Sequence, residues 1–361
     1  MTRCRKCLYP DTKPDLPFKD GICSACENHG NRPDIDWDAR LEKLEQLLND
    51  ANGSVMVPSS GGKDSTYIAL RLKEFGADVT AVTVATDYLT PLGRRNIDSL
   101  KRHVRTIEFT PNDRVRSLLC KKAFELVGDV SWPEHVLIHR IPFGFAHDLC
   151  VPLIFYGECP NNQYGGPEGT ADIGQMTQDW VSEYGGFLGL RAEDFIGPEI
   201  SDKDMRDYKR PPESADYAVH FLGWFEPWDS HRNAEYAIES GMQAKLPCEA
   251  NWWEWENLDN ALTGLHDHGM YRKYGYGRAV AQLGVDIRDG RISRDDALAI
   301  AKDRDGMFPF IYAEVPLGQT LDWLGLSSAR LADILDDHTN WDLFSGVEDG
   351  RPILKEFDAK D

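Results

Sequence analysis

Short apolar runs and amphipathic stretches alternate through the first half of the chain. Trp37, Leu41, Leu44 and Leu48 recur at helical intervals with charges between them, and Asn52-Gly53 stops the pattern. An apolar strand, Ser54-Val55-Met56-Val57, follows, then a glycine-rich loop, then a second helical pattern in which Ile68, Leu72 and Phe75 share a face and Gly76 closes the helix. Val79–Val84 (VTAVTV), Val104–Phe109 (VRTIEF) and Leu153–Tyr156 (LIFY) read as further buried strands, each preceded by a helical or mixed segment. Continuously apolar strands separated by helices pair in parallel and are covered on both faces. The expected fold is therefore α/β, a doubly wound, mostly parallel sheet. Ligands of such sheets bind beyond the carboxyl ends of the strands, which directs attention to the loops after Val57, Val84, Phe109 and Tyr156.

The remainder is less regular. Residues 27–36 (ENHGNRPDID) form a polar connector. Residues 167–216 are rich in Gly, Asp and Pro with weak periodicity, and read equally as a lid or insertion over the sheet edge and as an interdomain linker. Beyond Ala218-Val219-His220-Phe221-Leu222 the chain turns aromatic and helical, with Trp224, Trp228, Trp252, Trp253 and Trp255 in a short span. Tryptophans at that density are packing residues in the first instance and a sugar-stacking platform in the second. Three units result: a four-cysteine module over 1–35, an α/β domain over 36–223 that includes the 167–216 segment, and a mainly helical region over 224–361 for substrate or partner.

Composition narrows the function classes. The 361 residues are 41% hydrophobic and 28% charged, in the globular range. Sixty acidic against forty basic residues leave a net charge of −20, the wrong sign for a partner that is bulk nucleic acid. An anionic small substrate stays open, because a few local Arg and Lys residues hold a phosphate inside an acidic protein. No stretch approaches the ~18–20 consecutive apolar residues of a membrane span, and MTRCRKCLYP lacks the apolar run of a secretory signal. The expectation is a soluble, cytoplasmic protein.

Four of the eight cysteines fall in the first 26 residues, as Cys4-x2-Cys7, fifteen residues, then Cys23-x2-Cys26. Two such knuckles at that interval predict a four-thiolate zinc site, with an Fe–S cluster as the alternative metal centre. Disulfides suit an unsecreted chain poorly. All four thiolates would be used, so the site would be structural rather than catalytic. Cys120, Cys150 and Cys248 are expected as buried apolar fillers.

The most informative segment is Ser59-Ser60-Gly61-Gly62-Lys63-Asp64-Ser65-Thr66, placed between strand and helix. Such a loop offers backbone N–H groups and a helix N-terminus to an anion, and its glycines remove the Cβ atoms that would block close approach. It is neither a Walker A loop nor a dinucleotide GxGxxG. SGGKDS resembles the PP-loop of the ATP pyrophosphatases, which grips the β,γ-diphosphate while the α-phosphorus is attacked. After Tyr156 comes Gly157-Glu158-Cys159-Pro160-Asn161-Asn162-Gln163-Tyr164-Gly165-Gly166, a polar loop at the same sheet edge, in which Glu158 suits substrate or metal. Gly157-Glu158-Cys159 approaches the GxCxG elbow of a glutaminase, but the last Gly is absent and the following PNNQYGGPEG is not expected to start a helix. Cys159 is read as a residue lining the site. Residues 266–278 (HDHGMYRKYGYGR) and 287–294 (IRDGRISR) concentrate cations in an acidic chain, as an anion site or as a solvated helix face. His266 and His268 are too close in sequence to serve as two ligands on one helix face.

CRKCLYPDTKP…GICSAC, SGGKDS, PLGRRNIDSL, YGECP…YGG and HDHGMYRKYGYGRAVAQLGVDIRDGRISRDDALAI together resemble the N-acetyl sugar amidotransferases of surface-polysaccharide biosynthesis. The likeness is spread over nearly the whole chain. One departure stands out, since the family's loop usually reads GENP and Cys159 stands here where Asn is expected. The resemblance implies that ATP, with Mg²⁺, activates the acetamido oxygen of a nucleotide-linked N-acetylated sugar and that ammonia then gives an acetamidino group. It further implies catalytic roles for Lys63, Asp64 and Glu158. Ser60, Gly61, Gly62, Lys63, Ser65, Thr66 and Val84 would hold the nucleotide, and Asp64 would help hold Mg²⁺. Glu158, Tyr164, Gly165, Gly166, Lys273 and Arg278 would face the substrate, and Zn²⁺ would sit on Cys4, Cys7, Cys23 and Cys26. With no glutaminase elbow, ammonia would come from a separate glutaminase subunit or from solution. Two other readings stay open: a PP-loop sulfur-insertion enzyme using Cys120, Cys159 or Cys248, and a non-catalytic nucleotide-binding module.

Overall fold

Strands β3 (Ser54–Pro58), β4 (Asp78–Val84), β5 (Arg105–Phe109), β6 (Leu153–Tyr156) and β7 (Ala218–Phe221) form one sheet in the order β5-β4-β3-β6-β7, every pair parallel. This computed structural model describes all residues except 32–33, 86–87, 210–215, 245–249 and 358–361. Because β3 is central and the chain winds outward first through β4 and β5, then through β6 and β7, a crevice opens between β3 and β6 at their carboxyl ends. Strand alternation sorts the core into two layers. Val55, Val57, Val79, Ala81, Leu153 and Phe155 pack on helices α2 (Trp37–Asp50) and α3 (Lys63–Glu74). Met56, Val82, Ile154 and Val219 pack on α5 (Asp113–Val127) and α6 (Trp132–Asp148). The doubly wound α/β sheet read from periodicity is the observed fold.

The other elements surround this sheet. The first residues fold as a hairpin, β1 (Phe18–Lys19) with β2 (Ile22–Cys23), followed by α1 (Ser24–Gly30); α4 (Pro91–Leu100) joins β4 to β5. Segment 167–209 is an insertion over the sheet edge: Met176 N–H donates to Val219 O at 2.9 Å and Phe221 N–H to Gly174 O at 3.1 Å. From there Trp180, Val181, Phe195, Met205 and Tyr208 join the α6 layer of the core, and α8 (Gln178–Tyr184) lies within it. Between it and β6 sits α7 (Pro160–Gln163).

The region after β7 is mainly helical: α9 (Leu222–Phe225), α10 (Ser230–Glu239), α11 (Thr263–Tyr274), α12 (Arg278–Arg288), α13 (Arg294–Arg304), α14 (Leu317–Leu324) and α15 (Ser328–Asp337), with two small hairpins, β8–β9 (311–316) and β10–β11 (344–354). Tryptophan packs here, as composition suggested. Trp252 and Trp253 both donate their indole N–H to buried Asp286, at 2.9 and 3.0 Å, and Trp253 stacks on Trp255 with centroids 5.9 Å apart. Cys120 is buried as expected, whereas Cys150 is exposed at a positive φ of 53°, in the turn that ends α6; Cys248 lies outside the described residues. Among the described residues no helix is long and apolar enough to cross a membrane.

Candidate active site

The four thiols meet as their spacing predicts. All Sγ atoms of Cys4, Cys7, Cys23 and Cys26 lie within 4.8 Å of one another, with Cys7 to Cys23 at 3.6 Å and Cys4 to Cys26 at 3.9 Å. Ligands ~2.3 Å from a tetrahedral zinc stand ~3.8 Å apart, so the donor set fits Zn²⁺ without rearrangement, and no pair is close enough for a disulfide. Backbone N–H groups of Lys6 and Cys23 donate to Cys4 Sγ at 3.4 Å, the pattern that supports a thiolate. This module packs on α12 and α13 through Tyr276, Val280, Leu283 and Ala297.

It also holds a loop of the candidate site. Ser24 and Ala25, the two residues between Cys23 and Cys26, meet Gly165 and Gly166: Ser24 Oγ donates to Gly166 O at 3.0 Å. A Cβ on Gly165, whose φ is +80°, would lie 2.4 Å from Leu16 Cδ1 and 2.9 Å from Ala25 N. Only glycine fits that position.

The glycine-rich loop leaves the end of β3 and enters α3 at the crevice. Gly61, at φ +78°, packs so closely on α4 that a Cβ would lie 2.7 Å from Ile97 N. Ser59 Oγ accepts from Gly61 N–H at 3.1 Å and bonds Ser65 Oγ at 3.0 Å, fixing the turn. The first turn of α3 then offers N–H groups that have no intrahelical acceptor. A cleft of about 260 Å³ opens there, lined by Ser60, Gly62, Lys63, Asp64, Ser65 and Val84 among others.

Lys63 is the centre of this site. Its side chain is 4% exposed, and its ammonium contacts Asp64 and reaches Glu256 Oε2 at 3.3 Å. Burial alone would push the ammonium down, but Asp64, Glu256 and Glu158 outweigh it and hold the lysine above its ordinary value. Burial, and then the charge of Asp64, push Glu158 up to about 7 against the pull of Lys63. Asp259, in the same cleft, is pushed up to about 6 by burial and by Glu256. Negative charge exceeds positive here: buried Asp64 Oδ1 has no hydrogen-bond partner, and Glu256 Oε2 has only its ion pair with Lys63. Oxygens in that state suit a hard divalent cation, so the residues fit Mg²⁺.

The sequence-derived residues distribute around this centre unevenly. Glu158 faces the far side of Gly157, in a smaller cavity of about 110 Å³ shared with Cys159 and Trp228, while its charge still acts on Lys63. Tyr164 lies among the same carboxylates: its phenol is pushed well up by burial and then by Glu256, Glu158 and Asp64. Gly61 and Thr66 support the loop from beneath, Thr66 Oγ1 donating to Gly61 O at 3.4 Å. Arg278 is committed to buried Asp267 at 2.8 Å, and Lys273 donates to Val127 O at 3.1 Å. The cation-rich block is thus neither an open anion site nor a solvated face, because α11 buries Asp267, His268 and Arg272. Cys159 opens a single helical turn, α7, where the sequence suggested none; its thiol is buried, pushed up by that burial and directed at Thr170 O at 3.5 Å.

Sequence reasoning missed Glu256, Asp259 and Glu134, which line the cleft beside Trp255. A signal existed. WWEWENLDN places carboxylates inside a run of packed tryptophans, where burial is the default and an ionised group needs a partner.

The class is thus a parallel α/β sheet with a glycine-rich loop and a buried lysine at its switch point, the place where ligands of such sheets bind. Residues 249–353 match the family model described as "LPS biosynthesis protein WbpG-like, C-terminal domain". That stretch supplies Glu256 and Asp259 to the cleft and contains α11 to α15, and it leaves the sheet and the phosphate loop outside. No curated protein matches the chain. Among solved structures, the NMN synthetase from Francisella tularensis is similar over 59% of this chain and 99% of that chain, at 14% identity and a TM-score of 0.29, too low a score to argue from.

Proposed function

We propose that this chain is an ATP-dependent amidotransferase: it adenylates the acetamido oxygen of a nucleotide-linked N-acetylated sugar and replaces that oxygen with ammonia, forming an acetamidino group and releasing AMP and diphosphate. The observation that carries the reading is Lys63, a buried ammonium at the N-terminus of α3 surrounded by more carboxylate than it can neutralise. Such a site is incomplete until phosphate and a counter-cation enter it. The match of residues 249–353 to a lipopolysaccharide-biosynthesis family supports a sugar-linked substrate.

An amide carbonyl is a poor electrophile, and its oxygen is a poor leaving group. The amide oxygen attacks the α-phosphorus, the bond to the β-phosphate oxygen breaks, and its electron pair departs with diphosphate. Ammonia then adds to the activated carbon, loses a proton, and expels AMP with the former amide oxygen. The loop N–H of Gly62, the hydroxyls of Ser60 and Ser65, and Lys63 stabilise the departing diphosphate where its charge develops. Mg²⁺, held by Asp64 with Glu256, would neutralise phosphate charge when bound. Glu158, poised near neutrality, accepts a proton from the incoming nitrogen. Tyr164 orients the acetamido group, and Arg278, paired with Asp267, ties α12 to α11. Burial pushes the Cys159 thiol up, which suits a lining residue rather than a nucleophile, and ammonia would come from a separate glutaminase subunit or from solution.

The test is to supply ATP, magnesium, ammonium and a panel of N-acetylated sugar nucleotides. Substrate-dependent AMP and diphosphate are expected, with a sugar product lighter by about one mass unit, the signature of oxygen replaced by NH. A product heavier by about sixteen units would indicate sulfur capture instead. ADP and orthophosphate would remove the reading altogether.

A further inference from the structure

Helix α6 has two working faces. Glu134, Ile138 and Pro142 line the phosphate cleft, while Trp132, His139, Arg140 and Phe143 line a larger cavity of about 580 Å³ on the opposite side. Phe187 and Arg191, from the segment beside β7, also line that cavity. Tyr156 belongs to the partition: it lines the phosphate cleft, donates to Ile138 O at 2.8 Å and packs on the His139 ring at 5.4 Å.

The lining has a definite chemistry. Its walls are aromatic, and Arg140, Arg191 and Lys209 stand against a single carboxylate, Glu193, in a chain with a net charge of −20. Arg140 spends one N–H on Lys209 O at 2.8 Å. Neither Arg140 nor Arg191 forms a carboxylate ion pair among the described residues, and Lys209 is held by Asp202 at 2.6 Å. His139 is 8% exposed, and its Nδ1 has no hydrogen-bond partner. Burial pushes this imidazole down to about 3, so it is neutral and offers a hydrogen bond without charge. An orphaned ring nitrogen costs folding free energy unless something fills it. Aromatic walls, guanidinium forks and one buried neutral polar atom are the means by which proteins take a ring attached to phosphate.

We propose that this cavity is a second nucleotide site, separate from the phosphate loop, which takes a nucleoside diphosphate with its base among the aromatic side chains and its diphosphate on Arg140 and Arg191. The identification of that ligand as the carrier of the sugar rests on the amidotransferase reading; the cavity's preference for an aromatic anion does not. On that reading α6 divides the two nucleotides, one on each face.

The experiment is calorimetric titration of the full-length protein with UDP, CDP, GDP and ADP separately, with the phosphate loop saturated by magnesium and α,β-methylene-ATP. At least one diphosphate is expected to bind with unit stoichiometry, and Arg140→Ala or Arg191→Ala should weaken it about tenfold, while Asp64→Ala leaves it unchanged. Arg191 is exposed on the surface of the fold, so its substitution tests the site even where Arg140→Ala fails to fold. Saturable binding without diphosphate release from any N-acetylated sugar nucleotide would keep the site and remove the reaction. Absence of binding at millimolar concentration, or binding that the ATP analogue displaces or that Asp64→Ala abolishes, would overturn the proposal.

Discussion

Two cations, buried Lys63 in the glycine-rich loop and half-buried Arg278 at the start of α12, differ in the balance of the charge around them. Arg278 meets buried Asp267 through Nη2 at 2.8 Å and Nε at 3.2 Å, one cation for one carboxylate. Arg272, a turn away in α11, is likewise matched to Asp336 at 3.0 Å and to Thr339 Oγ1 at 2.6 Å. Lys63 has Asp64 and Glu256 in contact and Glu158 nearby; Asp64 Oδ1 has no hydrogen-bond partner, and Glu256 Oε2 has only the lysine. Matched pairs need nothing further, and they hold helices together. A surplus of charge beside a glycine-rich loop is unfinished until ligands arrive, so the imbalance, rather than the density of cations, marks the candidate site.

The comparison breaks first, and hardest, at Asp267. Asp267→Asn leaves half-buried Arg278 without its counter-charge and should cost about 1–3 kcal/mol of stability by urea denaturation, while diphosphate release per folded molecule stays near wild type. Asp64→Asn is the mirror experiment, since it removes a carboxylate from a site with too many. Its urea midpoint should hold or rise, whereas substrate-dependent diphosphate release should fall about 10²–10³-fold. A large loss of stability in Asp64→Asn would place Lys63 among the structural pairs.

The thiolate module supplies an intermediate effect, because Ser24 and Ala25 carry Gly165 and Gly166 between two of its ligands. Purified protein should contain one zinc and no iron chromophore by elemental analysis. Chelating that metal should speed hydrogen exchange at Tyr164–Gly166 by about tenfold or more while β3 and β4 stay protected. Unchanged exchange there would detach the module from the site.

The smallest effect is the pH response of Glu158. Its pKa rises from 4.5 in the unfolded chain to about 7 in the fold, so the native state favours the protonated carboxyl. That contribution to stability is full below about pH 4.5 and is lost as pH climbs through about 7. Glu158→Gln, which stays neutral, should match wild type near pH 4.5 and melt a few degrees higher at pH 8. Equal melting points at pH 8 would show that the charge surplus does not reach Glu158.

Much of this architecture is legible without coordinates. The strand at 54–57, the helices that flank it and the glycine stop at 76 follow from the period of apolar side chains, because each element must bury one face. SGGKDS and the paired CxxC knuckles are equally readable, since their ligand geometry is local and survives wherever the segment sits. Cys150 and the turn at α7 were misread for the opposite reason: exposure and a single helical turn depend on neighbours that a linear pattern does not contain.

What the sequence alone determined, then, is the set of parts: a doubly wound sheet, a glycine-rich loop at the end of its first strand, and four cysteines spaced for one metal. These are short-range consequences of backbone geometry and side-chain period. Tertiary structure alone decided which charges are spent and which remain. Arg278 and Glu256 are both charged residues in an aromatic, helical region, and only long-range packing pairs the first with Asp267 and brings the second, 193 positions along the chain from Lys63, to within 3.3 Å of its ammonium. Coulomb energy in a buried site depends on distances of a few ångströms, and the fold sets those distances.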